Sequence, residues 1–372
     1  MDAVDEAMAP WWEPLAKLVG PGVVFDAHTH VGRNDPDGLK QTVEELLAGL
    51  HPLSAGAAVF PMHEPDGYGP ANDEVIAAAA ANPGRLVAYC RVDPRAGAVA
   101  EARRCLDAGA GGIKLHPRAE EFTLHEPAIE ELAALAHERR VPILIHAGRG
   151  IPALGRNAID LASRYPDARL ILAHAAVSDL AWLWREMPDH PNLLIDTSWW
   201  SPGDMIALFT LVSPGQIVWA SDSPYGRPLT SAATHLRYAL QAGVGEEGLR
   251  SIAGGQMRRV LAGEELEHHE RPAGEAEPLS PPLERVVSHL NAAMGAALYE
   301  GNHLEQASLA LLACDVSDED PDRALLTEIE GLLARSAELA SSDPPDKRLP
   351  QSVRMLFAAL SIARTPRGPM PA

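Results

Sequence analysis

The stretch Pro142-Ile143-Leu144-Ile145-His146-Ala147 decides how this chain folds. Its apolar core is continuous rather than alternating, which marks a parallel strand covered on both faces, and it closes on a histidine. Leu170-Ile171-Leu172-Ala173-His174 repeats the pattern, and the short apolar runs 23–30, 57–60, 86–92, 112–116, 193–197 and 217–221 bring the total to eight. Amphipathic helical patterns at 39–50, 72–81, 99–108, 129–139, 158–165, 179–187 and 205–212 fill the gaps, and another at 231–242 follows the last run. Eight strand–helix units in roughly 250 residues predict an α/β fold, a closed (β/α)8 TIM barrel over residues 20–262. A doubly wound open sheet is the rival. It carries fewer strands and a glycine fingerprint after the first one, where this chain has histidines.

Composition bounds the function. The chain has 372 residues, 46% hydrophobic and 22% charged, which suits a soluble enzyme of one large barrel plus an appendage. A formal charge of −20 argues against nucleic acid or an anionic membrane as partner. The three cysteines, Cys90, Cys105 and Cys314, are far apart in sequence and form no C-x-x-C, so neither a disulfide framework nor a thiolate zinc site is expected. The first residues are acidic where a signal peptide is basic, and no apolar run approaches the ~18 residues of a membrane span. The expected location is cytoplasmic.

Past the barrel, residues 263–282 are rich in Glu and Pro and hold His268-His269, which predicts a mobile linker. Amphipathic patterns at 283–301, 303–314, 323–341 and 351–363 predict a small all-α domain over 283–363, either packed on the barrel or offered to a protein partner or a second copy of the chain. Residues 297–307 resemble one helix–turn–helix of a tetratricopeptide repeat, too little for a solenoid. The tail after Arg364 is expected to be disordered.

Active sites of such barrels lie at the C-terminal strand ends, so the polar residues there carry the chemistry. In Asp26-Ala27-His28-Thr29-His30 the alternation of a strand puts Asp26, His28 and His30 on one face, with two imidazoles side by side as half of a metal site. Lys114 and His116 end the fourth run, His146 the fifth and His174 the sixth, and Asp222 follows the eighth. Convergence of so many ligand-type residues on one mouth points to a catalytic centre.

These motifs, Asp26-x-His28-x-His30, Gly112-Ile113-Lys114-Leu115-His116-Pro117, Ile145-His146-Ala147-Gly148, Leu172-Ala173-His174-Ala175 and Ala220-Ser221-Asp222-Ser223-Pro224, resemble the strand-end motifs of the amidohydrolase superfamily. Within it they are most similar to the amidohydrolase-related group that includes aminocarboxymuconate-semialdehyde decarboxylase. The likeness spans residues 20–262 and includes 254–261, where Gln256 replaces the usual Asn. It implies a divalent metal, most often Zn2+, held by His28, His30, His146 and Asp222, with one ion favoured over two. It further implies catalytic roles for His174 and Asp222, with Asp26 orienting a ligand imidazole. Lys114, with His116, either bridges a second metal as a carboxylated lysine or binds a substrate anion. Arg118, Arg149, Trp199 and Arg227 are candidate substrate contacts, alongside Arg33, Arg91, His63, Glu64 and Trp200. The leading expectation is a metal-dependent hydrolase of a small-molecule amide, ester or lactone. The alternatives are a carboxy-lyase acting on an aromatic or unsaturated acid, and a catalytically silent barrel that recruits a partner through 283–363.

Overall fold

The computed structural model describes residues 2–272, 278–299, 303–341 and 349–371. Its strands are β1 (Phe25–Val31), β2 (Gly56–Pro61), β3 (Leu86–Arg91), β4 (Gly112–Leu115), β5 (Pro142–Ile145), β6 (Arg169–Leu172), β7 (Leu193–Asp196) and β8 (Ile217–Val218). Each pairs in parallel with the next in sequence order. The ring closes through a Thr29–Ser223 bridge, with Ala27 N–H donating to Trp219 O at 3.0 Å and Asp222 N–H to His28 O at 2.9 Å. The eight apolar runs are therefore the eight staves of a TIM barrel.

Side-chain parity sorts each strand. Ile143, Ile145, Leu170, Leu172, Leu193 and Ile195 pack outward against the helices. Leu144, Ile171, Leu194, Val218 and Ala220 fill the interior with Phe25, Phe60 and Tyr89. Alternation prolonged to the strand ends delivers Lys114, Asp196 and Asp222 to the same interior. β1 arrives differently. Phe25 and Ala27 point inward, so strict alternation would turn His28 outward, but the register against β2 slips between Asp26 and Thr29 and resets the phase. Below, Met257 and Val260 of the helix Gln256–Ala262 plug the barrel floor. The turn before that helix runs so close under β1 that a Cβ on Gly254 would stand 2.1 Å from Val23 O.

Helices follow the predicted gaps except between β6 and β7, where only Leu180–Leu183 is helical between tight turns. The helix Ala3–Val19 has no counterpart among the sequence-based expectations. Val4, Met8, Trp11, Leu15 and Val19 are its buried face, and it packs on the helix Pro228–Gln241. None of the described helices is long and apolar enough to cross a membrane.

The C-terminal helices Pro281–Tyr299, Leu304–Ala313, Arg323–Ala340 and Gln351–Ala363 pack on one another, and the last also lies on Ala3–Val19 and Pro228–Gln241. Part of the repeat-like segment, residues 300–302, falls outside the described residues. Two segments expected to be mobile or disordered make contacts with the barrel and its helices. Gln256 accepts from Glu267 N at 3.0 Å and donates to Glu267 O at 3.0 Å, while Ser213 Oγ donates to His269 O at 2.5 Å, so the start of the linker is laid against the barrel. Its residues 273–277 are not described. The tail is docked as well: the buried Arg237 donates from Nε to Thr365 Oγ1 at 3.0 Å, from Nη2 to Thr365 O at 2.7 Å and from Nη1 to Pro369 O at 2.5 Å. The guanidinium satisfies two backbone carbonyls of the tail beyond the helix, and the Trp11 ring lies over it at 4.8 Å.

Candidate active site

Four residues meet where β1, β4 and β8 end. His28 Nε2 lies 3.1 Å from His30 Nε2, each of these atoms lies 3.1 Å from Asp222 Oδ1, and Lys114 Nζ stands 3.3 Å from His28 Nε2. His28, His30 and Asp222 offer ligand atoms all within 4.8 Å of one another, the one such group among the described residues. Separations of this size are those of atoms sharing a small cation at about 2 Å.

Asp196, which sequence reasoning overlooked, fixes His28. Its Oδ2 accepts a hydrogen bond from His28 Nδ1–H at 2.8 Å, which leaves the Nε2 lone pair aimed into the group. Its Oδ1 accepts from the backbone N–H of His174 and of Ser198, each at 2.9 Å. Asp26, the expected orienting residue, does something else: its carboxylate accepts from His28 N at 3.1 Å and Ser221 N at 3.0 Å, pinning the β1–β8 seam, and touches no imidazole ring.

Burial sets the charge states. It drives His28 and His30 well below the ordinary imidazole pKa, helped at His28 by the Lys114 charge and at His30 by His28 and Lys114. Both rings are thus neutral and free to donate lone pairs. Burial also lowers Lys114 to about 7 against the pull of Asp222, and raises Asp222 well above a normal carboxyl. His30 Nδ1 is a buried atom without a protein partner. Two neutral imidazoles and a carboxylate make a nitrogen–oxygen donor set suited to zinc and its neighbours, so the residues fit a divalent ion.

His146 does not enter this group. Its ring stacks on His116 at 3.8 Å, and its Nδ1 lies 2.9 Å from His174 Nε2. Its Nε2 faces Gly148, where a Cβ would lie 2.7 Å away. His174 in turn directs Nδ1 to Ser198 O at 2.8 Å and stands 4.0 Å from Asp222 Oδ2. His116 is occupied from Ala119 N, which donates to its Nδ1 at 3.1 Å. His174, Ala175, Ala176 and Asp222 all have left-handed backbones (φ +58°, +56°, +46° and +59°), each costing about 1 kcal/mol. Such strain beside a polar cluster is typical of a functional site.

The predicted substrate contacts divide. Arg118 and Arg149 are exposed at the mouth, and the Arg118 charge is felt at His146. Trp199 is half-buried with its ring 6.4 Å from that of His174. Arg227 is elsewhere: it pairs with Asp5 at 2.5 Å and Asp2 at 3.3 Å and anchors the N-terminal helix. Arg91 is buried against Glu120 at 2.6 Å, which also accepts from Tyr68 Oη at 2.6 Å. Tyr225, not foreseen, meets the His30 ring edge-on, the two ring centres 5.3 Å apart.

A family model described as Amidohydrolase matches residues 25–261, the whole barrel. This chain belongs to the amidohydrolase family. Solved structures share the amidohydrolase barrel at low identity. The 2,6-dihydroxybenzoate decarboxylase from Rhizobium is 14% identical with a TM-score of 0.52, covering 64% of this chain and 98% of that one. The 5-carboxyvanillate decarboxylase from Sphingomonas paucimobilis is 17% identical with a TM-score of 0.51, over 64% and 98%. A dihydroxybenzoic acid decarboxylase from Polaromonas sp. JS666, solved with bound manganese, is 14% identical with a TM-score of 0.51, over 64% and 96%. No curated protein matches the chain. At these identities the structures establish the amidohydrolase-type fold.

Proposed function

We propose that this chain is a metal-dependent enzyme that hydrolyses an amide, ester or lactone of a small molecule. The observation that carries the reading is the His28–His30–Asp222 donor group at the mouth of a closed barrel, with Lys114 beside it. A divalent ion held by these three residues, zinc being the first expectation, supplies Lewis acidity toward a carbonyl oxygen and lowers the pKa of water. The chain's own groups handle the protons. Asp222, whose Oδ2 stands 4.0 Å from His174 Nδ1, can take a proton from water and return it to the leaving group, with His174 beside it as an electrostatic partner. Lys114, lowered to about 7, is placed to exchange a proton or to hold a substrate anion. Asp196 keeps His28 in the tautomer that can bind, and its Oδ1 accepts from His174 N.

Decarboxylation of an aromatic or unsaturated acid is the second reading. Arg118 and Arg149 at the mouth are suited to a carboxylate, and decarboxylases are named among the solved structures with this fold. Elemental mass spectrometry of wild type and His28→Ala tests the shared premise: about one equivalent of metal in the wild type, lost in the variant, is expected. No metal after reconstitution, or undiminished metal in His28→Ala, overturns it. Product analysis then separates the reactions, since only decarboxylation releases CO2.

A further inference from the structure

The helices beyond residue 280 lie outside the segment matched by the family model, yet one of them reaches the mouth. A continuous row of rings leads outward from the site. Trp199 stands 6.4 Å from His174, Trp200 stands 5.7 Å from Trp199, and Phe357 of the helix Gln351–Ala363 meets Trp200 edge-on at 5.5 Å. The Arg149 guanidinium lies 6.0 Å from the Trp199 ring centre, and among the described residues no acid pairs with it. We propose that the appended helix completes the substrate site: Phe357 braces Trp200, so that Trp199 and Trp200, tilted 38° to each other, present an aromatic wall with the Arg149 cation over Trp199, which takes a planar aromatic ring carrying a carboxylate.

The wall is held from both ends. Trp199 Nε1 donates to Asp204 Oδ2 at 2.8 Å, which sets the plane of its ring. The helix carrying Phe357 is tied down at its start by Arg354 on Asp2 at 2.8 Å and at its end by Arg237 on Thr365. Trp200 nonetheless remains 49% exposed, so part of its indole is left open to a ligand. Aromatic rings prefer such offset or edge contacts, and a surface fixed beforehand loses little entropy when a ligand settles on it. An aromatic ring on the tryptophans would bring its carboxylate within reach of the Arg149 fork and its other end toward His174.

This inference rests on the mouth being the reaction site, as proposed above. The test uses full-length protein and two probes of equal charge and similar size, benzoate and cyclohexanecarboxylate, titrated by ligand-observed NMR. Wild type is expected to bind benzoate roughly three- to tenfold more tightly, the worth of an aromatic contact beyond its area. Trp200→Leu and Phe357→Leu should each bring the two probes together, while Arg149→Gln weakens both alike. Thermal unfolding checks that each variant is folded. A wild type that binds neither probe, or both equally, overturns the proposal. A preference kept in Trp200→Leu removes the wall, and one kept in Phe357→Leu removes the role of the appended helix. His28→Ala should keep the preference, so loss of metal chemistry and loss of the wall are read separately.

Discussion

Replacing Asp196 by Asn tests how the donor group is built. In the wild type one carboxylate oxygen receives His28 Nδ1–H at 2.8 Å, and the other receives the backbone N–H of His174 and Ser198, each at 2.9 Å. An amide can serve only one of these sides. If its NH2 turns to His28, the ring must carry its proton on Nε2, the atom aimed at His30 and Asp222, and the lone pair needed for a cation is lost. An orienting partner of this kind is worth about 10- to 100-fold in metal affinity, or about 1.4 to 2.7 kcal/mol. If the NH2 turns the other way, it meets two buried N–H donors, at a cost of about 1–3 kcal/mol in stability. The assay strips metal from both proteins, titrates Zn2+ against a chromophoric chelator, and melts the apo forms. Weaker metal binding with an unchanged apo Tm follows from the first arrangement, and a lowered apo Tm from the second. An Asp196→Asn protein that matches wild type in both would refute the assignment of Asp196 as the residue that sets the His28 tautomer.

Two further outcomes follow from the packing. Arg237→Met removes the three hydrogen bonds to Thr365 and Pro369 and the contact with Trp11, and should cost about 2–4 kcal/mol in urea unfolding while exposing residues 365–371 to limited proteolysis. A variant of full stability with a protected tail would show that the docking of the tail is not held by this guanidinium. Glu101 is held down to about 2, chiefly by its hydrogen bond from Arg104. A depressed carboxylate stabilises the fold above its unfolded pKa of about 4.5 and loses that contribution as the pH falls toward 2, so the advantage of wild type over Glu101→Gln should be about 1 kcal/mol at pH 6 and vanish at pH 2. A pH-independent difference would rule the ion pair out as its source.

Strand-end residues were legible wherever their role is local. His28, His30, Lys114 and Asp222 each sit at the end of an apolar run; the period of two points Lys114 and Asp222 inward once the barrel is recognised, whereas His28 and His30 need the register slip in β1 as well. Asp196 carries the same signal at the end of Leu193-Leu194-Ile195, but an acid there also reads as a strand terminus, and its partner His28 is 168 residues away. Arg227 looked like a substrate contact because it follows a strand; its true partners, Asp2 and Asp5, lie on a helix at the other end of the chain. The orientation of His146 depends on the ring of His116 and the proton acceptor on His174, which no spacing encodes.

By itself, the sequence determined the barrel, its closing order and the residues offered at its mouth, because apolar runs and side-chain alternation are properties of neighbours along the chain. The tertiary structure alone decided which of those residues meet. The slip in β1 turns His28 inward, Asp196 selects its tautomer, and Arg237 draws the C-terminal tail onto the barrel. These outcomes depend on contacts between residues far apart in sequence, where a hydrogen bond or a packed ring takes effect only after the fold has brought its partner within reach.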